Sequence, residues 1–230
     1  MSEKRSPWVY VGIGCVGLVI IAVIGVAVLG FLGFRMAKDT VEAMKDPVKR
    51  EENVKAILGA TDLPPGYYAG LAVKIPFLME MAILTDREGE DGPNEDFDQR
   101  GFIYFKIIGK VDSELKDYFE GKTDDATVFR RNNINLDLES NVLLERGLIE
   151  VNGQNLMYLA QTGRFSTEHG RSEGIQTLIL VECPKDKKMR FGIWFGPLPE
   201  TDENGSYVLA GTPADRDQVQ GFMGHFTLCD

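Results

Sequence analysis

Residues 9–34 form a run of 26 consecutive residues without a charge, rich in Val, Ile, Leu and Gly. At about 1.5 Å rise per residue a helix of this length reaches ~39 Å, enough to cross a hydrocarbon core of about 30 Å with some tilt. The run therefore predicts a transmembrane helix. It is about twice the roughly 7 to 15 residues of a signal-peptide apolar region, and no small-x-small cleavage site precedes Arg35, so the reading is a retained anchor. A lipoprotein acylated at Cys15 would need the apolar run to end at the cysteine; most of it, 16–34, lies beyond.

Inside the anchor, Gly12, Gly14 and Gly17 spell G-x-G-x-x-G. That fingerprint binds a dinucleotide only after a strand and at the opening of a βαβ helix. No strand precedes it here, so the glycines are read as helix-packing residues. A strict G-x-x-x-G is absent, but Gly14/Gly17 and Gly30/Gly33 mark a face through which anchors can self-associate.

The chain carries 25 Lys+Arg and 35 Asp+Glu. Without residues 1–34, which contain Glu3, Lys4 and Arg5, the balance is 23 against 34, a formal charge of −11. A domain so acidic repels phosphate backbones, which argues against nucleic acid as a partner. Lys4 and Arg5 on a short tail, 1–8, favour a cytoplasmic N-terminus and a domain outside the cytoplasm, periplasmic or extracellular. Arg35, Lys38, Lys45, Lys49 and Arg50 follow the anchor and outnumber that pair. They are interspersed with acids and belong to a long translocatable domain, where charge counts for less. Only Cys183 and Cys229 lie outside the anchor, and an even pair in an exported domain predicts one disulfide.

After the anchor, 35–60 reads as a helical stalk or linker and 61–230 as the soluble domain. Asp46 and Pro47 predict a new helix start, running to Leu58 and stopping at Gly59, with Val54, Ile57 and Leu58 on one face. Pro64, Pro65 and Gly66 predict a turn. Leu71, Val73 and Ile75 alternate as in a strand; Pro76 breaks the run, and 77–84 reads as a strand buried on both faces. A strand over 101–108 leads to a helix capped by Asp112 or Ser113, running through Phe119 and closed by Gly121. Asn152-Gly153 between apolar runs predicts a two-residue type I′ hairpin. Residues 163–174 read as a polar loop carrying His169. A second hairpin joins 175–183 to 189–195, each strand with one inward face: Ile175, Thr177, Ile179 and Val181, then Phe191, Ile193 and Phe195. Thr212, Pro213 and Asp215 spell a capping box for a helix from Pro213 to Met223, and 226–229 reads as a terminal strand.

Antiparallel hairpins with helices before, between and after them give an α+β domain, one antiparallel sheet with helices largely on one face. In element order it is similar to the Mog1/PsbP-like arrangement; the likeness is one of order, and no residue role follows from it.

Residues 86–98 hold seven carboxylates and one basic residue, Arg87. Their spacing does not fit a calcium loop, so they read as a solvated loop; Glu90, Asp91, Glu95, Asp96 and Asp98 are the metal candidates if any metal binds. The chain has two histidines, His169 and His225, no G-x-S-x-G, no C-x-x-C, no H-E-x-x-H and no phosphate loop. No catalytic residue and no cofactor is assigned. The leading expectation is a single-pass membrane protein presenting a non-catalytic acidic domain to a protein partner or envelope component. A membrane-anchored hydrolase or other carboxylate-based enzyme and a cytoplasmic membrane-tethered scaffold stand as alternatives.

Overall fold

A computed structural model describes residues 45–88, 98–109, 111–125, 127–131, 142–167, 170–184 and 188–229. The predicted tail, 1–8, the predicted anchor, 9–34, and residues 35–44 of the predicted stalk lie outside them. Among the described residues no helix is long and apolar enough to cross a membrane.

The first helix, α1, is Pro47–Leu58. Asp46 caps it through its carboxylate, which accepts from the amide of Val48 at 3.0 Å, and Pro47 sits in the first turn where a missing N–H costs nothing. Gly59 ends it in the left-handed region at φ 60°, and a Cβ there would lie 2.1 Å from the carbonyl oxygen of Thr227. Only glycine fits that junction. Val54 and Leu58 are fully buried, each contributing about 1.5–3 kcal/mol of apolar burial. Thus α1 packs on the sheet, chiefly against its first strand.

Seven strands follow: β1 (Tyr68–Ile75), β2 (Met79–Thr85), β3 (Gly101–Ile108), β4 (Leu143–Val151), β5 (Gln154–Thr167), β6 (Gly170–Glu182) and β7 (Lys188–Pro197). Between β3 and β4 lie two short helices, α2 (Ser113–Phe119) and α3 (Thr127–Arg131); α4 (Arg216–Met223) comes last. The strands make one antiparallel sheet in the order β1-β2-β3-β7-β6-β5-β4. Two meanders are therefore stitched edge to edge where β3 meets β7. The α+β class predicted from the hairpins is the observed one.

Several expectations are corrected. Helices cover both faces. On the first face Val54, Leu58, Val219, Phe222 and Phe226 meet Phe102, Tyr158, Ile179, Val181 and Trp194. On the second, Leu115, Phe119, Val128 and Phe129 meet Met157, Leu159, Leu178, Leu180 and Phe191. The inner strand β6 is consequently buried on both sides from Ile175 to Val181, rather than showing one inward face. Residues 163–174 are largely strand, the ladder of β5 and β6 running on to Thr167 opposite Gly170. The last helix is capped by Asp215, which accepts from the amide of Asp217 at 3.0 Å, while Thr212 belongs to the preceding turn, its hydroxyl donating to the Leu209 carbonyl and accepting from the Ala214 amide. The C-terminal segment is irregular: side chains hold its backbone where a strand ladder was expected. Gln154 accepts from the amides of Leu228 (2.7 Å) and Cys229 (2.9 Å) and donates to the Phe226 carbonyl. Asn152 donates to the carbonyls of Gly224 and Phe226.

The Asn152-Gly153 hairpin stands as predicted, both residues at positive φ, 52° and 71°. Residues 77–84 do not form a single strand. Leu78 donates its amide to the Ile75 carbonyl at 3.1 Å, with Pro76 second and Phe77 third in the turn at φ 65°. This is the arrangement of a type II turn, whose third position favours glycine or asparagine. Phe77 is 91% exposed and Leu78 63%.

Candidate functional site

The register of β1, β2 and β3 places nine side chains in a grid on the second face. Leu71, Val73 and Ile75 pair across to Ile83, Met81 and Met79, and these to Ile103, Phe105 and Ile107. All nine are apolar. The short helices α2 and α3 pack over the other half of this face; at the boundary they reach Phe105, Ile107 and Ile193, which stay part-exposed. Leu71 and Ile83 are buried, Ile75 is exposed, and the remaining six are half-buried. An apolar surface of this breadth on a sheet offers dispersion and desolvation, with no acid, base or nucleophile among its nine side chains.

The opposite side of β1 borders a groove of about 320 Å³ beside α1, lined by Arg50, Glu51, Lys55, Tyr67, Tyr68 and Glu88 among others. Of its ionic groups, Glu51 and Lys55 are engaged with each other and Arg50 with the backbone. Glu51 holds Lys55 at 2.7 Å, a hydrogen bond that raises the lysine pKa, and the buried Arg50 donates its Nε to the Ala69 carbonyl at 2.9 Å. Tyr67 accepts from the Trp194 indole and lies under the Arg100 guanidinium, 5.5 Å from its ring centre. Burial pushes the Tyr67 phenol up. Burial likewise holds Tyr158 up to about 12, with Glu145 adding to the effect.

Glu90, Asp91, Glu95 and Asp96 lie outside the described residues. Asp98 is described and exposed, 3.6 Å from Arg87. Its amide, with those of Gln99 and Arg100, donates to the Asp86 carboxylate at 2.9–3.0 Å, so Asp86 staples the base of the acidic loop. Among the described residues no group of three or more His, Cys, Asp and Glu is placed to hold a metal ion. His169 is outside the described residues; His225 is exposed, on the irregular segment just after α4. Cys183 and Cys229 are joined in a disulfide, with Cα atoms 5.4 Å apart.

Sequence reasoning found β1 and β3 but not the grid, because period-2 patterning shows that residues share a face without showing which face the helices leave open. The apolar run hides the turn at Phe77 and Leu78, for which Pro76 at the second position of a four-residue turn is the available signal. Comparison with protein-family models and with curated proteins finds no match to this chain.

Proposed function

We propose that this chain is a single-pass membrane protein, anchored by residues 9–34, whose domain is a non-catalytic binding module for a protein partner outside the cytoplasm. The observation that carries the reading is the nine-residue apolar grid on β1, β2 and β3. Val73, Met81 and Phe105 form its central row, and burying such a row against a partner supplies association energy through loss of apolar area. The disulfide supports delivery to an oxidising compartment. The anchor reading rests on the uncharged run alone.

Photocrosslinking from position 81 in the full chain, in intact cells, tests the module. A discrete protein adduct that disappears when Val73→Glu is introduced, while the domain keeps its thermal midpoint, is the expected result. Absence of any protein adduct, or adducts to lipid alone, would remove the grid from consideration as a protein-docking face.

A further inference from the structure

We propose that Asn204 is the acceptor of an N-linked oligosaccharide. Among the asparagines of the chain only Asn204 has a serine or threonine two residues on, Ser206, with Gly205 between them. The pattern has meaning only on an accessible surface, and here the fold supplies one. Beyond β7 the chain makes a small hairpin closed by an isolated bridge between Thr201 and Tyr207. Asp202 donates its amide to the Ser206 carbonyl at 2.8 Å, and its own carbonyl accepts from the Gly205 amide at 3.0 Å. Residues 203–205 are thus a three-residue hairpin loop, with Gly205 at φ 79° in the left-handed position on which such loops end. Asn204 stands at the tip.

Residues 201–206 are all exposed. The Asp202 carboxylate accepts from the amides of Asn204 at 2.9 Å and Ser206 at 2.8 Å. The turn therefore satisfies its own backbone, and among the described residues no hydrogen bond engages the Asn204 carboxamide or the Ser206 hydroxyl. A Cβ placed on Gly205 would meet no atom within 4 Å, so the space beside the asparagine is open. The other Asn-Gly turn is the contrast: the Asn152 carboxamide is spent on the carbonyls of Gly224 and Phe226, and Gln154 stands where the hydroxyl would have to be. The 201–207 hairpin also lies outside the seven-stranded sheet, so a transferase that draws it out leaves the ladder intact. In the transfer the Asn204 Nδ2 bonds to C1 of the first sugar of an oligosaccharide carried on a polyisoprenyl diphosphate. The C1–O bond to the diphosphate breaks, the polyisoprenyl diphosphate leaves with that electron pair, and one carboxamide proton passes to a base of the transferase. No oxidant or reductant is consumed. Donors of this class are used outside the cytoplasm, so the proposal rests on the extracytoplasmic location proposed for the domain.

The test takes the full chain from the membranes of the cells that make it and reads the peptide carrying Asn204 by mass spectrometry. An oligosaccharide mass on Asn204 is expected, lost in Asn204→Gln and in Ser206→Ala and kept in Ser206→Thr. Both side chains are exposed and outside the core, so all three variants are expected to keep the parent's circular dichroism, which separates a lost sugar from a lost fold. An impermeant maleimide applied to the same cells, with and without reduction, locates the domain independently. An unmodified Asn204, or one changed only by deamidation, in a chain whose Cys183 and Cys229 label from outside after reduction overturns the glycan and leaves the location standing. An unmodified Asn204 in a chain that labels only after permeabilisation overturns both. A sugar that persists in Asn204→Gln or in Ser206→Ala overturns the assignment to this acceptor.

Discussion

Trp194 donates its indole N–H to the hydroxyl oxygen of Tyr67 at 2.6 Å, across 127 residues of sequence. Both rings are buried, and Trp194 also stacks on Phe222 with ring centres 4.1 Å apart. The pair ties the turn before β1 to β7 beneath α4. Tyr67→Phe keeps the ring and strands the indole N–H in a buried site, at a cost of about 1–3 kcal/mol. Urea titration followed by Trp194 fluorescence in a Trp8→Phe chain should show the lower midpoint with an unchanged slope; an unmoved midpoint would mean that the bond contributes nothing net.

The Gln154 amide satisfies two amides and a carbonyl of the C-terminal segment at once. Gln154→Leu fills the space and leaves the Leu228 and Cys229 amides unpaired, the Phe226 carbonyl keeping Asn152, so a loss of about 2–4 kcal/mol is expected. Hydrogen exchange should accelerate at Leu228 and Cys229 far more than at β6. Equal protection in variant and parent would contradict the clamp.

Burial raises the phenols of Tyr67, Tyr118 and Tyr158, the last to about 12. Raised folded-state values mean that the folded state holds these protons more tightly than the unfolded chain. Their contribution is therefore complete below the ordinary tyrosine value of about 10 and is lost as pH climbs toward 12. Thermal midpoints measured across that window should fall, and Tyr158→Phe should flatten the fall. A variant profile parallel to the parent's would assign the alkaline loss elsewhere.

Phe77→Gly removes a left-handed phenylalanine from an exposed turn. The variant should gain about 1 kcal/mol of stability. Calorimetry reads the gain; a lower midpoint would show that the phenylalanine ring is packed.

The disulfide also serves to locate the domain. An impermeant maleimide is expected to label Cys183 and Cys229 of the full chain in intact cells only after reduction. Labelling that needs permeabilisation and no reductant would place the domain in the cytoplasm and support the tethered-scaffold alternative.

What the residues disclosed in advance was local chemistry. Asp46 and Asp112 announce helix starts because a short carboxylate at that position answers open amides, and Asn152-Gly153 announces its hairpin because both residues tolerate positive φ. What stayed hidden depends on distant partners. Ile175 to Val181 reads as one alternating face until helices from two separate parts of the chain cover both sides. The polar run after Gly163 looks like a loop by composition, yet backbone pairing carries it as strand. The C-terminal segment has a strand's apolar residues but meets Gln154 and Asn152 in place of a neighbouring ladder. Phe77 disguised a turn by standing where glycine is expected.

The meeting of Thr227 with Gly59 joins residues 168 positions apart at one backbone contact. The amide of Thr227 donates to the Gly59 carbonyl at 3.3 Å, and Phe226 stacks on Phe102 deep in the first-face core. Lifting this segment therefore bares the end of the first helix and the aromatic core in the same step, so the two lose their cover together.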